Sequence, residues 1–228
     1  MIKEHTIHIM LHPQSAVGKT LIARLLAEYL NDRGCQTVFH YEYLKHSKGY
    51  SYQDFEDVID KLLVGDFESI VDVDFNIAHG FAHWCEYYNL DEIAARKNRA
   101  ILFHTIIPGG YAFKSSFKWA INTVQSMDYS NFVVWFNCHR DVVPDEAIDR
   151  LQQVASESPH RRIQRCEIPS FNTPYKALDL LGSFCSDGVY FQKLLDENSD
   201  SPTAVTRIAK ARKYVYRLFD AVQLMNIA

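Results

Sequence analysis

Short apolar runs alternate with longer segments of helical periodicity along the whole chain. The first run, residues 5–12, reads His-Thr-Ile-His-Ile-Met-Leu-His, and residues 20–33 follow it with Leu21, Ile22, Leu25, Leu26, Tyr29 and Leu30 on one helical face. Gly34 stands where a left-handed C-terminal cap belongs, so the pair predicts a strand followed by a helix. Further strands are expected at 36–43, 68–75, 100–107, 131–137 and 162–168, and helices at 51–64, 77–89, 112–126, 144–156 and 203–226. Strands separated by helices predict an α/β fold, a three-layer sandwich around a mostly parallel central sheet. The unbroken apolar runs Ile101-Leu102-Phe103 and Val133-Val134-Trp135-Phe136 suit strands covered on both faces.

The length of 228 residues fits one such domain, and the hydrophobic fraction of 47% is enough for a substantial core. A polar stretch at 196–200 marks the one candidate hinge. After it, Ser201 and Pro202 read as N-cap and first residue of a terminal helix. The expected organisation is therefore an α/β domain over 1–200 and an amphipathic basic helix over 201–228 packed on the same domain. Five cysteines without a C-x-x-C pair argue against a disulfide framework and a structural zinc site, which points to a reducing, cytoplasmic setting. No run approaches the ~18 apolar residues of a membrane span. The net charge of −4 excludes a uniformly basic nucleic-acid coat but leaves room for a local basic patch.

Chemistry concentrates between the first strand and the first helix, in Pro13-Gln14-Ser15-Ala16-Val17-Gly18-Lys19-Thr20. A strand-loop-helix junction ending in Gly-Lys-Thr can surround a phosphate with backbone N–H groups, place Lys19 on the β/γ charge and offer the Thr20 hydroxyl to magnesium. Gly18 allows close approach of the backbone. The full G-x-x-x-x-G-K-[ST] pattern departs at its first glycine, where Pro13 stands.

This loop resembles the variant K-G-G-V-G-K-[ST] phosphate loop of ParA/MinD-type ATPases, with Val17-Gly18-Lys19-Thr20 kept and Gln14, Ser15 and Ala16 substituted. Downstream, His104-Thr105-Ile106-Ile107-Pro108-Gly109-Gly110 and Val133-Val134-Trp135-Phe136-Asn137 resemble the H-T-x-I-x-G-G and V-V-W-x-N segments of TraL proteins, ParA-like nucleotide-binding proteins of plasmid conjugation regions. The resemblance spreads over most of residues 5–175. It implies a P-loop NTPase fold, ATP or ADP with Mg2+ as ligands, a cytoplasmic location and a role in conjugal DNA transfer or plasmid maintenance. Implied partners are a second copy of the chain, DNA, and conjugation or partition proteins. In the family a loop lysine reaches the partner's nucleotide and acts as an arginine finger does. Gln14 has no charge to supply there, and the family's D-x-D after the second strand is replaced by His40-Tyr41-Glu42, leaving Glu42 as the carboxylate. Slow or absent hydrolysis follows.

A carboxylate at the end of a buried strand would hold the magnesium shell or position water. Ile70-Val71-Asp72-Val73-Asp74 offers two, on one side of the strand if alternation holds. The family's V-I-D-N-G run points to Asp72, while Asp74 remains open, with capping near Asn76 as its alternative role. Asn137 ends an apolar strand at the edge where α/β ligands gather. The resemblance assigns it to adenine, and Pro169 at the equivalent edge could shape the base pocket. His79 and His83 have i, i+4 metal spacing but lack a third ligand, so packing or surface roles are favoured. Near the C-terminus Arg207, Lys210, Arg212, Lys213 and Arg217 lie in an acid-free stretch of an apolar-striped helix, a face able to touch DNA phosphates or simply to be solvated.

Three readings share the loop: a ParA/MinD-like ATP-binding protein of the TraL type, a small-molecule enzyme of the dethiobiotin-synthetase or kinase kind, and a pseudo-ATPase interaction module. The second needs a substrate pocket with convergent charges, and the sequence shows no such cluster.

Overall fold

The computed structural model describes residues 5–40, 52–127, 130–138, 141–157, 162–168 and 191–222. The strands are β1 (His5–Met10), β2 (Thr37–His40), β3 (Glu68–Asp72), β4 (Arg99–Pro108), β5 (Asn131–Asn137) and β6 (Ile163–Ile168). They form one six-stranded sheet in the order β2-β3-β1-β4-β5-β6, and every neighbouring pair is parallel. The helices are α1 (Lys19–Asp32), α2 (Tyr52–Val64), α3 (Ala78–Tyr87), α4 (Leu90–Ala95), α5 (Phe113–Ser126), α6 (Asp145–Glu157), α7 (Phe191–Glu197) and α8 (Pro202–Ala221). The α/β sandwich expected from the sequence is thus present. The chain steps outward from β1 to β2, returns to β3 and then crosses β1 to β4. That reversal puts the C-terminal end of β1 at a topological switch point.

Alternation along the strands sorts the core into two layers. Ile7, Ile9, Val71, Phe103, Phe132 and Val134 face α2 to α6, against Phe55, Phe81, Trp84, Val124 and Leu151. Met10, Ile70, Leu102, Ile106, Val133 and Trp135 face the other way, against Ile22, Leu26 and Leu30 of α1, Phe191 of α7, and Ile208, Val215 and Phe219 of α8. Both faces of the sheet are therefore covered at its centre, which is why β5 and the middle of β4 are apolar in unbroken runs.

The second layer also buries a polar chain. Trp135 Nε1 donates to His104 Nδ1 at 3.1 Å, and His104 Nε2 lies 3.1 Å from His8 Nδ1. An indole can only donate, so His104 carries its proton on Nε2 and donates to His8, whose own proton is then on Nε2. Burial pushes the His8 imidazole down to about 3 and that of His104 well below its ordinary value. Both rings are neutral.

The C-terminal helix is held on α1. Ser201 caps α8 by accepting from Ala204 N, with Pro202 in the first turn, as expected. Its apolar stripe puts Phe219 edge-on to Trp135, with centroids 5.5 Å apart. Beside it, Arg212 and Tyr216 both donate to Asp32, and Arg33 and Tyr29 both donate to Asp220 at 2.7 Å. Two polar knots so flank the ring contacts of Phe219 with Trp135 of β5 and with Tyr29 of α1.

Several boundaries differ from the sequence-based expectation. The first strand ends at Met10; Leu11 N still donates to His104 O at 2.8 Å, and His12 leads into the loop. The helix expected over 77–89 stops at Tyr87, and Asn89, at φ 49°, turns the chain into the separate α4. The helix α7 was not expected, and the hinge at 196–200 overlaps its end and the turn into α8. None of the described helices is long and apolar enough to cross a membrane. Four cysteines, Cys35, Cys85, Cys138 and Cys166, are buried and unbridged.

Candidate phosphate-binding site

Gly18 makes the turn from loop to helix. It sits at φ +96°, ψ 8°, a left-handed conformation that side chains disfavour, and a Cβ there would approach Asn137 Nδ2 to 3.1 Å. The turn starts α1 at Lys19 and leaves its first N–H groups without intrahelical partners. Those groups open onto a cleft of about 300 Å³ lined by residues 14–21 together with Asp72, Asp74 and Phe75. The helix N-terminus gives the cleft a positive electrostatic bias.

Lys19 and Thr20 converge on one carboxylate. The Lys19 ammonium, 9% exposed, donates to Asp72 Oδ1 and to the carbonyl of Val73, while Thr20 Oγ1 donates to Asp72 Oδ2 at 2.6 Å. Asp72 is the last residue of β3, next to β1 in the sheet, so the register Met10↔Asp72 is what brings it under the loop. Asp74 is in a different position. The strand has ended by then, and Asp74 Oδ1 accepts from Asn76 N at 2.8 Å and Asn76 Nδ2 at 2.9 Å. The alternation that would align the two aspartates stops at Asp72, although Asp74 still lines the cleft.

Three further contacts fix the loop, none with a local sequence signature. Asn137 at the end of β5 donates Nδ2–H to Val17 O at 2.9 Å. Gln14 N donates to His12 Nδ1 at 3.1 Å; His12 is fully buried, and burial, with the Lys19 charge adding to it, depresses its imidazole to about 4. The Gln14 side chain reaches α5, where Nε2 donates to Ser115 Oγ and Ser116 Oγ donates to Oε1, both at 2.6 Å. Asn137 and Gln14 so lie against loop backbone and helix, and Ser15 and Ala16, the latter at φ 57°, form the exposed crest between them.

Glu42 and Pro169 lie outside the described residues. His79 accepts from Trp119 Nε1 at 3.2 Å through Nδ1, which places its own proton on Nε2, and the exposed His83 lies 3.8 Å from Glu86. Among the described residues no group of three or more His, Cys, Asp or Glu side chains could hold a metal ion. Of the basic residues on α8, Arg207, Lys210, Lys213 and Arg217 are exposed, whereas Arg212 is turned inward to Asp32.

A six-stranded parallel sheet, a Gly-Lys-Thr turn between a central strand and the first helix, and an aspartate on the adjacent strand define a P-loop NTPase-type α/β fold. No protein-family model matches the chain, and no curated protein is matched by it. Solved structures similar to it include the MinC:MinD cell division protein complex of Aquifex aeolicus, at 14% identity and TM-score 0.43, covering 92% of this chain and 96% of that one. Another is a plasmid partition protein from Borrelia burgdorferi, at 11% identity and TM-score 0.39, covering 80% of this chain and 99% of that one.

Proposed function

We propose that the chain is a ParA/MinD-like nucleotide-binding protein of the TraL type, serving plasmid conjugation or maintenance, which binds ATP or ADP with Mg2+ and hydrolyses ATP slowly or not at all. The observation that carries this reading is the convergence of Lys19 and Thr20 on Asp72 beneath the Gly18 turn. The donor set fits the ligands: backbone N–H groups of residues 15–20 and the Lys19 ammonium for phosphate oxygens, and the Thr20 hydroxyl with the Asp72 carboxylate as hard oxygen donors for magnesium. Magnesium, when bound, neutralises charge on the β- and γ-phosphate oxygens. Lys19 supplies the side-chain charge at that end of the cleft. Asp72 orients both Lys19 and Thr20, and Asn137 holds the Val17 carbonyl through a hydrogen bond.

Slow turnover, or a pseudo-ATPase that signals by binding alone, is favoured by Gln14. Its amide carries no charge and both its ends are engaged by α5. Self-association, conjugation or partition proteins, and DNA are the partners this reading carries. The face of Arg207, Lys210, Lys213 and Arg217 would meet DNA through phosphates, with log affinity falling against log salt by ~0.9 per phosphate contacted.

Titration of the purified protein with a fluorescent ATP analogue, with Mg2+ or EDTA and with or without duplex DNA, tests the reading. Saturable, Mg2+-dependent binding abolished by Lys19→Ala is expected. Binding that ignores this substitution would sink the assignment of the loop.

A further inference from the structure

The contacts of Gln14 form a directed chain. Ser115 donates its hydroxyl proton to Ala112 O at 3.2 Å, so its oxygen accepts, and the amide NH2 of Gln14 is the end that faces it. The amide oxygen then receives the hydroxyl proton of Ser116, a residue with no exposed surface. The backbone N–H of Gln14 is committed to His12. No other side chain of similar reach satisfies this arrangement. A lysine at position 14 has no acceptor for Ser116, a glutamate cannot donate to Ser115 and brings negative charge to an anion site, and an asparagine is one methylene shorter.

We propose that Gln14 is a positioning residue that latches the phosphate loop to the start of α5 through Ser115 and Ser116, so that the loop is preformed by contacts within one chain. The proposal rests on the reading of the cleft as a nucleotide site, but the latch itself is a property of the loop. With His12 and Asn137 holding the backbone at either end, the latch fixes the side of the loop that no strand supports. The turn at Gly109 and Gly110 leads directly into α5 and packs so tightly on Asp141 that a Cβ at Gly109 would fall 2.0 Å from Asp141 O. The latch is therefore anchored to a turn with little room to shift.

The test compares Gln14→Ala, Ser115→Ala, the pair Ser115→Ala/Ser116→Ala, the triple variant and Ser115→Thr in the full chain. Amide exchange of residues 14–18, followed without nucleotide, reads the loop directly, and titration with fluorescent ATP and Mg2+ reads its consequence. Exchange in the loop rises in Gln14→Ala and in the serine pair with the melting temperature held, and Ser115→Thr restores native protection. Loss of the latch weakens nucleotide affinity about ten-fold, the scale of one or two hydrogen bonds, and the triple variant is no weaker than Gln14→Ala. Native exchange in the serine variants, or losses that add in the triple variant, would overturn the latch. The exposed Ser115→Ala carries the comparison should the buried pair fail to fold. Absence of ATP binding by the native protein would instead overturn the nucleotide reading, with the exchange data still deciding the latch.

Discussion

Asn137 Nδ2 donates to the carbonyl of Val17 at 2.9 Å, tying the end of β5 to the phosphate loop across 120 residues of sequence. The same amide nitrogen lies where it would meet a side chain at position 18. One contact thus engages a carbonyl and crowds a position that its left-handed φ already reserves for glycine.

Replacing Asn137 by alanine removes that anchor without touching Lys19, Thr20 or Asp72. Nucleotide affinity should fall by about three- to ten-fold, the equivalent of one net hydrogen bond of ~1 kcal/mol. Calorimetric titration checks this, and native affinity would show that β5 does not govern the loop.

Lys19 and Asp72 form a buried pair, so breaking it from one side should cost more than removing both charges. Lys19→Ala is expected to lower stability by ~2–4 kcal/mol, and Lys19→Ala/Asp72→Asn to recover part of that loss. Denaturant melts of the single and double variants decide it. Strictly additive losses would mean the pair contributes no coupling. In the same series Asp72→Asn should weaken Mg2+-dependent binding more than Asp74→Asn, since Asp74 spends its carboxylate on Asn76.

The buried imidazoles make the protein acid-sensitive. His8, near 3, and His12, near 4, lie below the unfolded value of 6.5, so the unfolded chain takes up protons first as pH falls. Their contribution is complete above about pH 6.5 and is lost as pH falls through the folded values, each group adding a slope of ~1.4 kcal/mol per pH unit inside that window. His8→Gln retains an acceptor for His104 but cannot titrate, and it should flatten the acid limb of a plot of melting temperature against pH. An unchanged limb would place the acid sensitivity elsewhere.

On α8, Arg212 serves the fold and its four exposed neighbours do not. Arg212→Ala should destabilise by ~1 kcal/mol, a modest figure because the pair with Asp32 is about a third exposed and screened. Lys213→Ala should cost little stability and, if the helix touches DNA, should lower the salt slope of binding by ~1. A reversed ranking in melts would mean that the Asp32 knot does not secure the helix.

Much of the frame is legible in the residue pattern because burial on both faces makes strands such as 131–137 continuously apolar, and the Gly18-Lys19-Thr20 turn has a local signature. What escapes the pattern is tertiary. Ser115 and Ser116 meet Gln14 only because β4 and β1 are neighbours, and nothing near either serine in sequence announces it. The helix α4 is too short for its periodicity to show, and its separation from α3 depends on one left-handed asparagine. His8 and His104 read as polar interruptions in apolar runs, yet they hydrogen-bond to each other between neighbouring strands. Alternation along 70–74 carries Asp74 onto the strand, past the point where Asp74 itself turns the chain towards Asn76.

The docking of α8 on α1 also bears on how the chain acquires its fold. Residues 202–221 cover Trp135 and Tyr29, surfaces laid down much earlier in synthesis, so one layer of the sheet stays greasy until nearly the whole described chain has been made. Pairings so distant along the chain close slowly and leave sticky intermediates in the meantime. Nascent or truncated forms lacking α8 are the ones expected to demand a chaperone's attention.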